Sequence, residues 1–124
     1  MFFPKNERLT LQKDIDRLFE SGQTFVAYPL RIIYLPDVGN HHSAPGISVL
    51  ISVPKKRIRL AVKRNKIKRL IRESYRLNKS ETSTLFKQNG KQLHIAFLYI
   101  SNDMKMYAHI EKAVQKTLEH IRSL

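Results

Sequence analysis

The most regular pattern in the chain is VKRNKIKRLIRESYRLN, which occupies residues 62–78. Its apolar positions recur at helical spacing and share one face: Ile67, Leu70, Ile71, Ser74 and Leu77. Its cations stack at i, i+4 spacing on another face, with Asn65 and Arg69 beside them: Arg64, Lys68, Arg72 and Arg76. At about 100° per residue the two faces are roughly opposite. The pattern predicts an amphipathic helix with its apolar face on a core and its basic face in solvent.

The segments on either side of this helix alternate between helical and extended patterns. Thr10 is the predicted N-cap of a first helix that Gly22 ends, and Pro29 confines the next extended segment to a sheet edge or a bend. The predicted elements are a helix over 11–21, a strand over 25–35, a turn-rich connection over 36–45, a strand over 46–53, a polar stretch over 80–90, a strand over 93–100 and a helix over 105–122. This order predicts a single α/β domain over residues 1–124, with helices packed against a sheet.

The positive charge of the chain is concentrated around the basic helix. The net charge is +13, from 23 Lys and Arg against 10 Asp and Glu. Residues 55–79 hold twelve of these basic residues and one acid, Glu73, which leaves eleven basic and nine acidic residues elsewhere. A charge that is concentrated in this way indicates a binding site for a polyanion and not general solubility.

Nucleic acid is the polyanion that best fits the basic helix. Like charges at i, i+4 spacing repel by a few tenths of a kcal/mol per pair, and phosphates would offset this repulsion and release counterions. Arginine suits phosphate contacts and stacking on bases, and Asn65 offers a donor and an acceptor to a base edge or a 2′-hydroxyl. A solvated helix face, a membrane-surface helix and a DNA-binding module are weaker alternatives. A ribosomal or other structural RNA-binding protein would have the same composition, so that alternative stays open.

Few residues suggest an enzyme, a metal site or a membrane segment. Asp14 and Asp16 form the only close acidic pair and point about 160° apart on a helix, while His41 and His42 fall in a predicted loop. The chain has no cysteine, which excludes disulfides and thiolate metal sites. No apolar stretch approaches the roughly 20 residues that span a bilayer. We therefore expect a soluble cytoplasmic protein with no membrane partner, and the chain is a poor candidate for an enzyme in its own right.

Three blocks of the sequence resemble the bacterial ribonuclease P protein family. Residues 64–72, RNKIKRLIR, match the family signature R-N-x-[IV]-K-R-x-x-R, and residues 52–56, SVPKK, match the step S-V-[SP]-K-K at a strand end. Residues 13–22, KDIDRLFESG, are similar to D-F-x-x-[VL]-F-x-x-G in the first helix, with Ile15 where the family often has Phe. Residues 57–63 are one residue longer than the glycine-containing turn of many members.

The resemblance implies a fold, a function and two sets of site residues. The fold is α+β, a two-layer α/β sandwich of the ribosomal protein S5 domain 2-like type with a left-handed β-α-β crossover. The function is that of a monomeric protein subunit, one per RNA, which assists a catalytic RNA in removing the 5′ leader of precursor tRNA. Mg²⁺ acts through the RNA subunit, and no metal is expected on the protein. The residues expected to bind the catalytic RNA are Lys55, Lys56, Arg64, Asn65, Lys66, Lys68, Arg69 and Arg72.

The resemblance also implies a cleft between the first helix and the sheet that holds the single-stranded leader. The residues expected to line or flank it are Ile15, Phe19, Phe25, Tyr34, Arg17 and Arg31. Aromatic side chains in such a cleft stack on bases without demanding a sequence. From periodicity alone, however, the apolar residues among them are better explained as part of the core.

Overall fold

A computed structural model describes residues 8–36 and 46–124 of the chain. Its elements in chain order are α1 Gln12–Ser21, β1 Gln23–Ala27, β2 Leu30–Pro36, β3 Gly46–Ser52, α2 Ala61–Asn78, α3 Ser80–Gln88, β4 Gln92–Tyr99 and α4 Tyr107–Arg122. The predicted α+β class is confirmed. Residues 1–7 and most of the predicted connection over 36–45, with His41 and His42, lie outside the described residues.

Four strands form one mixed sheet in the order β1-β2-β4-β3. The β1–β2 and β2–β4 pairs are antiparallel, whereas β3 and β4 are parallel neighbours. Parallel neighbours need a crossover connection, and here α2 and α3 provide it between β3 and β4. The hand of this crossover stays a prediction.

The two sides of the sheet are covered differently. On one side the main core joins the sheet to α2 and α4, and it includes Ile67, Ile71, Phe97 and Leu118, all essentially inaccessible to solvent. On the other side a smaller cluster packs under α1, around Leu18. Successive residues of a strand point to opposite sides, so β4, which is buried on both, is apolar almost throughout.

The structure corrects two of the predicted elements. The strand predicted over 25–35 is a hairpin, because Tyr28 and Pro29 form the turn between β1 and β2. The polar stretch predicted over 80–90 is mostly helical: it forms α3, which buries Thr82, Ser83 and Phe86 before the expected turn. Pro29 already allowed a bend in the first segment, whereas in the second the buried contacts of α3 outweigh its polar composition.

The end of α1 is set by close packing, whereas its start has no side-chain cap. Leu11 occupies the N-cap without a side-chain hydrogen bond, so the predicted cap at Thr10 is wrong. Gly22 ends the helix as predicted, and a Cβ there would lie 2.4 Å from Leu18 O and 2.6 Å from Ile33 Cγ2. Only glycine allows α1 to turn this closely onto the sheet.

Candidate nucleic-acid interface

The basic helix α2 is anchored by a face that differs from the predicted one. Its buried residues are Ile67, Ile71, Ser74 and Tyr75, whereas Leu77, predicted to be buried, is 54% exposed. The Tyr75 ring packs 6.1 Å from that of Phe97 in the sheet. Burial of this large aromatic side chain rotates the buried face of the helix away from the predicted apolar face. The rotation is roughly half the 100° that separates successive residues.

As a result of this rotation, the cations of α2 form two adjacent rows. Arg64, Lys68 and Arg72 are half-buried along one border of the helix, and Arg72 lines a cavity of about 330 Å³ at the outer edge of β3, where Leu9 N donates to Val49 O. The outer row is exposed and contains Lys66, Arg69 and Arg76, with the neutral side chain of Asn65 beside them. All the residues of α2 that were predicted to bind RNA therefore lie on one continuous surface, which we call the basic face.

The charge of the basic face is largely uncompensated. Arg76 is the exception, because its Nη2 lies 2.6 Å from Glu73 Oε1, and the hydrogen bond and charge of Glu73 raise the pKa of Arg76. Within residues 8–36 and 46–124, none of Arg64, Lys68 and Arg69 forms an ion pair with a carboxylate. The basic face is thus available to phosphates.

The turn before α2 is ordered by the first arginine of the signature. Arg64 Nη1 donates to the carbonyls of Ile58, at 3.1 Å, and Arg59, at 2.6 Å. Pro54 O accepts from the backbone N–H groups of Arg57 and Ile58, and the Ile58 side chain is buried. Arg64 therefore positions the turn, which holds Lys55 and Lys56 exposed beside the start of the helix.

The second predicted surface lies on the α1 side of the sheet. Ile15 packs on the smaller cluster, and Phe19, one turn further along α1, remains 46% exposed. Arg31 is exposed on β2, and alternation places it on the same side as Ile33, which packs under α1. Together with the exposed Arg17 of α1, these side chains define a partly apolar surface with cationic borders, which we call the α1 surface.

Phe25 and Tyr34 do not belong to the α1 surface, which corrects the predicted cleft. Phe25 stacks on the ring of His120 in α4, with centroids 4.2 Å apart. Tyr34 is 4% exposed; its hydroxyl donates to Gln23 Oε1 at 3.0 Å and lies 3.1 Å from His120 Nε2. Because the two positions share a strand face in the β1–β2 pairing, both side chains point to the main core.

Val26 and Leu98 are the residues that the sequence argument missed on the α1 surface. Val26 pairs with Arg31 and is 56% exposed, and Leu98, also paired with Arg31, is half-buried. Strict alternation would have found them, but residues 30–35 read LRIIYL, in which nearly every position is apolar. Such a run does not reveal which side of the sheet each residue faces.

A buried histidine lies beneath α1. His94 of β4 is 5% exposed, and its Nδ1 has no hydrogen-bond partner within the described part of the chain. Burial lowers the pKa of His94 from its ordinary value, the charge of the buried Asp14 raises it and the charge of Arg17 lowers it. This imidazole is therefore held neutral at physiological pH.

Other kinds of site find little support in the described structure. Residues 8–36 and 46–124 contain no group of three or more His, Cys, Asp or Glu side chains that could hold a metal ion. Over the same residues, no helix has the length and apolar character needed to cross a bilayer.

The comparison with protein families agrees with the signature on α2. A family model described as Ribonuclease P matches residues 3–122. The chain belongs to the ribonuclease P protein family. A ribonuclease P protein component of Porphyromonas gingivalis is 44% identical over 117 residues, covering 94% of this chain and 84% of the relative. That of Chlorobium phaeobacteroides is 32% identical over 126 residues, covering 95% and 86%.

Solved structures of ribonuclease P proteins share this fold. The Staphylococcus aureus protein is 26% identical, with a TM-score of 0.61 over 94% of this chain and 93% of that one. The Thermotoga maritima protein is 20% identical, with a TM-score of 0.71 over 92% and 96%. The resemblance drawn from three sequence blocks is confirmed, and family membership disfavours the alternative of a ribosomal protein.

Proposed function

We propose that this chain is the protein subunit of ribonuclease P, and that it binds two RNA segments on two different surfaces. The basic face binds the catalytic RNA. The α1 surface binds the single-stranded 5′ leader of precursor tRNA. The subunit acts as a monomer, one per RNA, and assists Mg²⁺-dependent cleavage that the RNA itself performs.

The observation that carries this proposal is the uncompensated charge of the basic face. Six residues of the family signature lie along it, and the turn that Arg64 holds adds Lys55 and Lys56. Each phosphate that a cation neutralises releases condensed counterions, so such a surface favours RNA strongly at low salt. Its arginines also suit the bidentate contacts that structured RNA offers.

The α1 surface supports binding of a different kind of RNA segment. Phe19 and Val26 are exposed apolar side chains on an otherwise folded surface, and Arg17 and Arg31 border them. An apolar platform with flanking cations suits an unpaired strand, because bases stack on the platform while phosphates meet the cations. The leader is the unpaired part of precursor tRNA, so the α1 surface is its proposed site.

The residues of the described chain assist cleavage by binding and positioning. Mg²⁺ supplies the charge stabilisation of the reaction through the RNA subunit. The side chains of the basic face hold the RNA fold, and the α1 surface distinguishes precursor from mature tRNA by holding the leader. These roles need no nucleophile or general base from the protein.

The direct test is to add the purified protein to bacterial ribonuclease P RNA and precursor tRNA at low Mg²⁺. We expect cleavage at the 5′ end to be stimulated, and precursor tRNA to be bound more tightly as the leader is lengthened over its first few nucleotides. Absence of stimulation together with binding that ignores the leader would overturn the proposal. Heat-treated protein at the same concentration controls for nonspecific charge effects.

A further inference from the structure

A third cluster of cations lies where α4 approaches the β1–β2 hairpin, away from the basic face and the α1 surface. Its side chains line a shallow groove of about 350 Å³, which we call the hairpin groove. The polar and aromatic residues along it are Tyr28, Lys105, His109, Lys112 and Lys116. None of them belongs to the family signature or to the residues predicted for RNA binding.

Two lysines of the hairpin groove, Lys112 and Lys116, are exposed one turn apart on α4. His109, three residues before Lys112, is exposed on the same helix face. Within the described residues no ion pair involves them. Glu111, the residue before Lys112, is bonded elsewhere, to the Tyr107 hydroxyl and the Asn78 amide. Lys112 and Lys116 therefore repel each other at i, i+4 spacing, and a bound anion would offset this repulsion.

An exposed aromatic ring stands among these cations. Tyr28 is 59% exposed, and Lys105 Nζ lies 5.3 Å from its ring centroid. The hairpin turn that carries Tyr28 is fixed by a 2.9 Å hydrogen bond from Ile100 N to Pro29 O. An exposed ring on an anchored turn, beside cations, can stack a base while the cations hold the neighbouring phosphates.

The hairpin groove lies at the same end of the sheet as the turn that precedes α2. The strand register aligns Leu30 with Tyr99 and Ser52 with Leu98, so β3 and β4 both finish where β2 begins. Across this end, Arg57 Nη1 donates to Asn102 Oδ1 at 3.4 Å. Cations therefore continue from the turn that precedes α2, past the loop that follows β4, to Lys105.

We propose that the hairpin groove binds a further strand of the same catalytic RNA that the basic face binds. Phosphates lie against Lys105, Lys112 and Lys116, and one base stacks on Tyr28. The proposal rests on the proposed function, since it extends the RNA footprint of the basic face around the end of the sheet. An acidic protein or a second copy of the chain would offer less, because neither explains an aromatic platform among aligned cations.

A charge-matched pair of variants tests the phosphate contacts. In Lys105→Gln/Lys112→Gln/Lys116→Gln, the log–log salt slope for binding a transcript of bacterial ribonuclease P RNA should become shallower by about two to three, with affinity about tenfold lower at low salt. The control Lys13→Gln/Lys87→Gln/Lys91→Gln removes the same charge from exposed lysines elsewhere. Equal effects of the two triple variants, or none in the first, would overturn the proposal.

Substitutions of Tyr28 test the stacked base independently of net charge. Tyr28→Ala should weaken binding of the same transcript at least about fivefold, and Tyr28→Phe should restore it, because the ring is retained. If Tyr28→Phe binds as poorly as Tyr28→Ala, stacking is not the contact. Circular dichroism of both variants establishes that the hairpin still folds.

The location of the RNA can be mapped because the natural chain has no cysteine. A hydroxyl-radical source tethered to Lys112→Cys should cleave the transcript at nucleotides distinct from those cleaved from Lys66→Cys on the basic face. If Lys66→Cys cleaves and Lys112→Cys does not, the hairpin groove proposal fails while the proposed function stands. If neither cleaves, the proposed function fails as well.

Loss of a dimer in the triple Gln variant, seen by sedimentation with unchanged RNA binding, would instead assign the groove to a second copy.

Discussion

On one side of the sheet, α2 and α4 cover the strands so fully that the cations of α2 are carried on a rigid surface. On the other side, α1 is short and leaves Phe19 and Val26 about half exposed. The first side concentrates charge, whereas the second leaves apolar area open at its borders. Under the proposed function, the charged side binds structured RNA and the open side binds an unpaired strand.

The largest expected effect comes from removing charge on the basic face. Lys66→Ala with Arg69→Ala removes two exposed cations without touching the turn that Arg64 holds. We expect the affinity for ribonuclease P RNA to fall on the order of a hundredfold at low salt, with a salt slope shallower by about two. Filter binding across a salt series measures both quantities. Lys87→Ala with Lys91→Ala is the matched control. An equal loss of affinity there would show that binding depends on net charge and not on the basic face.

A smaller effect, of a different kind, is expected on the α1 surface. Phe19→Ala removes a half-exposed ring, which should cost about 1–3 kcal/mol in the preference of the holoenzyme for precursor over mature tRNA. The affinity for ribonuclease P RNA should hardly change. Leu77→Ala, which removes an exposed apolar side chain from α2, is the matched control. If Phe19→Ala lowers only the free energy of unfolding, Phe19 is a core residue and the comparison of the two sides fails.

Tyr34 should behave as a core residue and not as a leader contact. Tyr34→Phe deletes the hydroxyl that bonds Gln23 and lies beside His120, which should lower the free energy of unfolding by about 1 kcal/mol. Urea unfolding followed by circular dichroism measures this loss. The preference for precursor tRNA should be unchanged. A clear drop in that preference would show that Tyr34 contacts the leader.

The smallest expected effect is a pH dependence of stability from His94. Because burial lowers its pKa in the folded chain, the unfolded chain binds a proton near pH 6.5 that the folded chain does not. The free energy of unfolding should therefore fall as the pH drops below about 6.5, by at most about 1.4 kcal/mol per pH unit. In His94→Gln this part of the profile should flatten. Similar profiles for both proteins between pH 5 and 7.5 would show that His94 is not the group responsible.

The sequence revealed the basic face because charge on a helix is a local property. Spacing within residues 62–78 is enough to place the signature cations together on one surface of the helix, although the burial of Tyr75 rotates the helix from its predicted orientation and leaves Arg64, Lys68 and Arg72 half-buried. The α1 surface depends instead on which side of the sheet each strand residue faces. Residues 30–35 are apolar on both sides of the sheet, so the sequence alone does not show that Phe25 and Tyr34 face the main core while Val26 faces α1. Only the pairing of β1 with β2 and β4 resolves that choice.

The most direct test of the division between the two sides uses the unaltered protein in the holoenzyme with precursor tRNA. Photoreactive 4-thiouridine is placed at single positions of the leader, and the crosslinked peptides are identified by mass spectrometry. We predict crosslinks to α1 and to the segment of β1 and β2 that carries Val26 and Arg31, and none to α2. Crosslinks from the leader mainly to residues 61–78 would contradict the account, because the two RNA segments would then share the basic face.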